Sequence, residues 1–237
     1  IVASKYRLLA LLGRGAMGEV WRARHEDLNV DVAIKFAFVK GESEDEVLER
    51  FRFEAQVSAQ LSQHTAHIVA VHDTGRFDEI PYLVMELVEG VSLSNHLTTS
   101  GAIEPERVGT VLTEIGDALE TAHRRGIWHR DIKADNIMVA IRPDGRWQLT
   151  VKSQRPVLDV EVPAATMFGH LVGTPAYMSP EQILGAPPDA HSDLWSLAVV
   201  AYEALVGRDP FRGDTMDELL SAISVLPHVP PRSLRPE

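Results

Sequence analysis

The sequence predicts an α+β fold with two lobes, a small β-rich one followed by a larger α-helical one. Three observations carry this. Apolar strand-like segments dominate up to Val39, a helical period runs from Glu42 to Ser62, and beyond Gly90 the long periodic segments are helical.

Taken in order, Tyr6 to Leu12 reads as a strand, and a glycine-rich turn follows it. Val20 to Ala23 and Val32 to Val39 read as two more strands, with Asn29 and Asp31 at the turn between them. In the first helix Val47, Leu48, Phe51, Ala55, Val57 and Leu61 recur at spacings that share one face. Its opening run Glu42-Ser43-Glu44-Asp45-Glu46 complements a helix N-terminus and faces water; a partner-binding acidic patch is the alternative. Ile68 to His72 and Pro81 to Leu87 read as strands around a turn-rich Asp73 to Ile80. Pro105 opens a long amphipathic helix carrying Val108, Val111, Leu112, Ile115, Leu119 and Ala122, and proline suits the first helical position. Asp144-Gly145 is a hairpin signal flanked by short strands. Leu194 to Val206 is apolar nearly all round and reads as a buried helix, and Met216 to Val225 as a short final one. The proline-rich tail from Pro227 to Pro236 reads as irregular or extended.

Composition narrows the function. The 237 residues are 45% hydrophobic and 24% charged, enough for two packed lobes around one site. A net charge of −11 argues against nucleic acid or an anionic membrane as partner. With no cysteine there is no disulfide framework, thiolate zinc cluster or cysteine nucleophile. No apolar stretch approaches the roughly 20 residues of a membrane span, and the opening residues carry no secretory signal pattern. The expectation is a cytoplasmic protein.

Three segments carry chemistry. Gly13, Gly15 and Gly18 form a G-x-G-x-x-G pattern between two predicted strands, where glycines let backbone N–H groups approach phosphate oxygens. A dinucleotide fold needs a helix after such glycines, whereas Val20-Trp21-Arg22-Ala23 reads as a strand. Val32-Ala33-Ile34-Lys35 places a lysine on an apolar strand, either snorkelling at an edge or neutralising phosphate beside a carboxylate such as Glu54. His129-Arg130-Asp131-Ile132-Lys133-Ala134-Asp135-Asn136 packs a carboxylate, a cation and an amide into one short segment after a helix.

With these segments the chain resembles the eukaryotic-type protein kinase superfamily, in its bacterial Ser/Thr branch. Gly173-Thr174-Pro175-Ala176-Tyr177-Met178-Ser179-Pro180-Glu181 and Asp193-Leu194-Trp195-Ser196-Leu197 extend the match in order. The resemblance implies a bilobal kinase fold over 1–237, with an N-lobe of about 1–88 and a C-lobe of about 89–237 that lacks the last helices. It implies ATP and Mg²⁺ as cofactors and a protein substrate that the sequence does not identify. In its terms Gly13, Gly15 and Gly18 cover the phosphates, and Lys35 paired with Glu54 grips them. Val20, Ala33 and Met138 sandwich adenine, Glu86 to Val88 form the hinge, and Met85 guards the back pocket. Asp131 is the catalytic base, Lys133 steadies the γ-phosphate, and Asn136 holds Mg²⁺. Asp193 braces the catalytic segment and His129 packs. Arg130 before Asp131 implies control by a phosphorylated loop, with Thr166 as the obvious candidate and Thr174 of the Gly-Thr-Pro element as the other.

The chain departs from the pattern where the family carries Asp-Phe-Gly. Here Val151-Lys152-Ser153 stands in its place, and valine offers no metal ligand. Asp144 belongs to the hairpin turn and Asp159 lies well downstream, so neither is assigned as a substitute. The alternative function is therefore a pseudokinase, a nucleotide-binding or scaffold module with impaired catalysis.

Overall fold

A computed structural model describes residues 1–15, 18–38, 43–152, 175–225 and 227–235. The described residues form two compact units, Ile1–Glu89 and the residues from Gly90 onward.

The first unit is an antiparallel sheet of β1 (Tyr6–Gly15), β2 (Gly18–His25), β3 (Val30–Ala37), β4 (Val71–Phe77) and β5 (Ile80–Glu86), in the order β1-β2-β3-β5-β4. Side chains alternate across it and make two cores. Val2, Tyr6, Ala23, Val32, Ile34, Tyr82 and Val84 pack on one face. On the other, Ala37 and Leu83 meet Val47 and Phe51 of α1 (Glu44–Leu61). Ser43 and Glu46 cap α1 reciprocally: the Ser43 hydroxyl accepts the Glu46 N–H, and the Glu46 carboxylate accepts the Ser43 N–H at 2.7 Å. Part of the acidic run thus works as a helix cap.

Tertiary partners corrected two expectations in this unit. The strand expected at Ile68 to His72 begins at Val71 and runs through Phe77, so most of the turn-rich stretch is β4. Its polar residues are satisfied from outside the segment: the Tyr6 hydroxyl donates to Asp73 at 3.1 Å, and Thr74 Oγ1 donates to the Tyr82 carbonyl at 3.0 Å. Only Asp78 and Glu79 turn, both with positive φ. Asp31 is likewise not a turn residue; it stands in β3 and pairs with Arg22 and Arg24 of β2.

The second unit contains a three-stranded sheet of β6 (Val91–Ser92), β7 (Ile137–Ile141) and β8 (Trp147–Val151). Its helices are α2 (Leu93–Ser100), α3 (Pro105–His123), α4 (Pro180–Ile183), α5 (Ala190–Val206), α6 (Met216–Val225) and α7 (Pro231–Leu234). Pro105 opens α3, and Val108, Val111, Ile115, Ala118, Leu119 and Ala122 form its buried stripe. Leu112, expected on that stripe, is exposed. Gly145 turns the β7–β8 hairpin with φ 79°.

Asp189 caps α5 by accepting the N–H groups of His191 and Ser192, so the helix starts before the apolar run. It is not buried all round, because Leu194 is exposed. The tail is not wholly irregular. Pro231 starts the short α7, the Val229 carbonyl accepts from the Tyr202 hydroxyl at 2.8 Å, and Arg235 pairs with Glu104 at 3.1 Å. β6 and α2 are too short or too polar to announce themselves by periodicity.

Candidate catalytic and nucleotide site

In the first unit, β1 and β2 pair as far as Gly15 opposite Gly18, so the glycine pattern forms the tip of a strand pair. Gly18 has φ 153°, and a Cβ there would stand 1.9 Å from the Phe36 carbonyl oxygen. Only glycine fits that approach. Val20 lies opposite Lys35 in register, and Ala33 opposite Met85. Register partners share a face, so Val20, Ala33 and Lys35 stand on the face that packs on α1. The Lys35 ammonium lies 5.5 Å from the centroid of the Phe51 ring. Phe51 stands one turn before buried Glu54 on the same helix. The Glu86 N–H donates to the Ala70 carbonyl at 2.9 Å, and Val88 is half-buried just beyond β5.

The second unit holds the acid–base cluster between α3 and β7. Asp193, in the first turn of α5 and 1% exposed, organises it. Its Oδ2 accepts the His129 N–H at 2.8 Å and lies 2.8 Å from His123 Nε2, and its Oδ1 accepts the Arg130 N–H at 2.7 Å. Arg130 has φ 65°, a left-handed conformation costly for a side-chain-bearing residue and held here by that acceptor. The strained turn presents Asp131, while the next side chain, Ile132, is buried as its anchor.

Asp131 is gripped at both oxygens. Lys133 Nζ lies 3.1 Å from Oδ1, and the Asn136 amide donates to Oδ2 at 2.9 Å and to the Asp131 carbonyl at 2.8 Å. His129 donates from Nε2 to the Lys152 carbonyl at 3.0 Å, so Nδ1 is the acceptor facing the Asp131 N–H at 3.4 Å. A carboxylate held this way is oriented to take a proton from a hydroxyl, and the ammonium beside it is placed to meet an anionic oxygen. Met138 stands half-buried on β7.

The segment after Asn136 differs in chemistry. Val151 ends β8 opposite Ile137 and is 2% exposed. The Lys152 N–H donates to the Asn136 carbonyl, and Lys152 Nζ to the Asp135 carbonyl, both at 2.8 Å. Burial holds the Lys152 ammonium below its ordinary pKa and Lys133 adds to that, while Asp135 opposes it. Sequence reasoning missed two further partners of this unit. The Tyr177 hydroxyl donates to Glu203 at 2.6 Å, and burial first of all pushes both groups up in pKa. His123 is the other. No local signal marks either contact, since the partners lie on different elements.

Mg²⁺ requires about six oxygen ligands in near-octahedral array. Asn136 offers one amide oxygen and Val151 none, and among the described residues no cluster of three or more His, Asp or Glu could hold a metal. The described residues do not fit the cation. Ser153, Asp159, Thr166 and Thr174 lie outside the described residues. No helix among the described residues is long and apolar enough to cross a membrane.

The protein kinase domain family matches residues 6–229. Over 219 residues the chain is 37% identical to the probable serine/threonine-protein kinase PknB of Corynebacterium glutamicum, covering 91% of the chain and 33% of that protein. It is 34% identical over 231 residues to serine/threonine-protein kinase PknH of Mycobacterium tuberculosis, covering 98% and 36%. With serine/threonine-protein kinase PknA of the same species it shares 37% over 218 residues, covering 90% and 49%. The chain thus spans about a third to a half of the length of these relatives.

Proposed function

The chain belongs to the protein kinase domain family, and from that membership we propose that it transfers the γ-phosphoryl group of ATP to serine or threonine hydroxyls of proteins. The observation that carries the reading is Asp131, held between Lys133 and Asn136 on a turn braced by Asp193. Asp131 accepts the substrate hydroxyl proton, and Lys133 meets the γ-phosphate oxygens. Gly13, Gly15 and Gly18 cover the phosphates and Lys35 grips them, with Glu54 on the helix behind. Val20, Ala33 and Met138 enclose adenine, and Glu86 to Val88 hydrogen-bond its edge. Residues 1–88 act as N-lobe and 89–237 as C-lobe. Thr166 and Thr174 are the proposed loop hydroxyls for regulation and substrate contact. The need for ATP supports a cytoplasmic location for this domain.

The family uses ATP with a divalent metal, typically Mg²⁺, whereas Val151 and Lys152 supply hydrocarbon and a cation where it places Asp-Phe. That substitution favours a second reading, a nucleotide-binding pseudokinase with impaired transfer. Radiolabelled ATP transfer to a generic protein acceptor, with Mg²⁺ or Mn²⁺ and an Asp131→Asn control, separates them. Label incorporation abolished by Asp131→Asn supports the kinase; ATP binding with no incorporation supports the pseudokinase.

A further inference from the structure

We propose that Glu19 is a positioning residue for the phosphate-covering hairpin: with Arg14 and Trp21 it forms a clasp that holds the tip of that hairpin in the form that meets the nucleotide phosphates. The inference rests on the nucleotide-binding reading above and adds what keeps the glycine segment in shape.

The end of β1 has little else to hold it. Gly13 and Gly15 lie there, a Cβ built at either meets nothing within 4 Å, and the β1–β2 register shifts between Leu11 and Gly13. β1 is an edge strand, so it pairs on one side only. Glycine also has the most conformational freedom to lose when a segment becomes ordered. Beyond the backbone ladder, order at this end must come from side chains.

Arg14 and Glu19 are opposite one another in register, next to the Gly15–Gly18 pair. The Arg14 guanidinium donates to Glu19 Oε1, and Trp21 Nε1 donates to Glu19 Oε2 at 2.9 Å. One carboxylate therefore ties the end of β1 to the indole two residues along β2. The Trp21 hydrogen bond holds the Glu19 carboxyl below its ordinary pKa, with partial burial opposing it and Arg14 adding to it, so Glu19 is charged near neutral pH. Glu19 and Trp21 stand opposite Phe36 and Ile34 of β3, whereas Val20 between them stands opposite Lys35. The clasp is thus on the other face of the sheet from Lys35, and its two charges offset each other there. It acts on the phosphates through the order of the tip and not by touching them.

The test is calorimetric titration of the purified chain with ATP and with adenosine in Mg²⁺ buffer. Glu19→Ala is expected to weaken ATP by about fivefold and Arg14→Ala by about threefold, the size an exposed ion pair supports, with adenosine unchanged in both. The double variant loses no more than Glu19→Ala alone, because the contact is already gone. Glu19→Gln still accepts from Trp21 and retains most of the ATP affinity. Tighter ATP binding by Glu19→Ala or Glu19→Gln overturns the proposal, since the charge of Glu19 and not the clasp then acts on the phosphates. Unchanged ATP affinity in Glu19→Ala and Arg14→Ala, or an equal loss for ATP and adenosine, overturns it as well. All three results leave the nucleotide-binding reading intact, whereas absence of ATP binding by the unaltered chain overturns both. Unchanged adenosine affinity certifies a folded variant, and the pair Arg14→Ala and Glu19→Gln decides the matter even where Glu19→Ala does not fold.

Discussion

Replacing Asp193 with alanine removes the acceptor of three donors at once: the backbone N–H groups of His129 and Arg130 and the Nε2 of His123. The carboxylate is 1% exposed, so water does not take its place freely. Each stranded buried N–H costs about 1–3 kcal/mol. The left-handed φ of 65° at Arg130 also loses what holds it, a strain of roughly 1–3 kcal/mol that relaxation of the turn then releases. These contributions overlap, because the relaxed turn exposes the same N–H groups to water. The expected net loss is therefore about 3–5 kcal/mol, a large share of the ~5–15 kcal/mol a domain retains. Urea titration of the full chain followed by circular dichroism measures it. Asp193→Asn keeps one acceptor oxygen and is expected to lose less. His123→Ala, destabilising in the unaltered chain, is expected to add little in the Asp193→Ala background, because its contact is already gone. A loss below about 1 kcal/mol for Asp193→Ala, or full additivity with His123→Ala, refutes the bracing argument.

Lys35→Met is expected to lower ATP affinity by about tenfold while leaving adenosine nearly unchanged, since only ATP carries the charge that the ammonium meets; equal losses for both in a binding titration dissociate Lys35 from phosphate. Gly18→Ala forces a Cβ against the Phe36 carbonyl at a φ of 153° and is expected to cost about 1–3 kcal/mol or more in urea unfolding, with a neutral result refuting the close approach. Glu203 has its folded pKa raised from 4.5, mainly by burial. Its carboxyl therefore contributes stability that is complete below the unfolded pKa and is lost as pH rises through the folded value. Glu203→Gln keeps an acceptor for the Tyr177 hydroxyl and has no proton to lose, so its stability relative to the unaltered chain should climb from pH 4 toward pH 8. A difference that stays flat across that range shows that burial does not perturb Glu203.

Much of the site was legible because its residues are close in sequence. Asp131, Lys133 and Asn136 lie within one short segment, and a tight turn brings such neighbours together whatever surrounds them. Gly18 was read as making room for phosphate, whereas its close approach to the Phe36 carbonyl comes from the pairing of β2 with β3 and was not legible. That Lys35 meets α1 at the Phe51 ring was not legible, because where a strand side chain lands on a helix depends on how the helix docks. The β4 boundary failed similarly: Asp73 and Thr74 are turn formers by type, and only Tyr6 and Tyr82 make a strand there satisfiable.

The sequence by itself determined the order of the longer elements, most of the amphipathic stripe of α3, the hairpin at Gly145 and the chemical inventory of the catalytic segment. Read through the family resemblance, it also placed Val151 and Lys152 where the family carries a metal-binding carboxylate and its neighbour. Periodicity, turn chemistry and residue type are local properties, and these features need nothing more. Tertiary structure alone decided that Asp193 holds the backbone of His129 and Arg130, that His123 completes that grip, and that Lys152 turns its ammonium toward the Asp135 carbonyl. The Asp193 contacts join residues more than sixty positions apart, and Lys152 reaches the turn at Asp135 only through the β7–β8 hairpin. Such contacts depend on which elements pack, and no window of sequence encodes that.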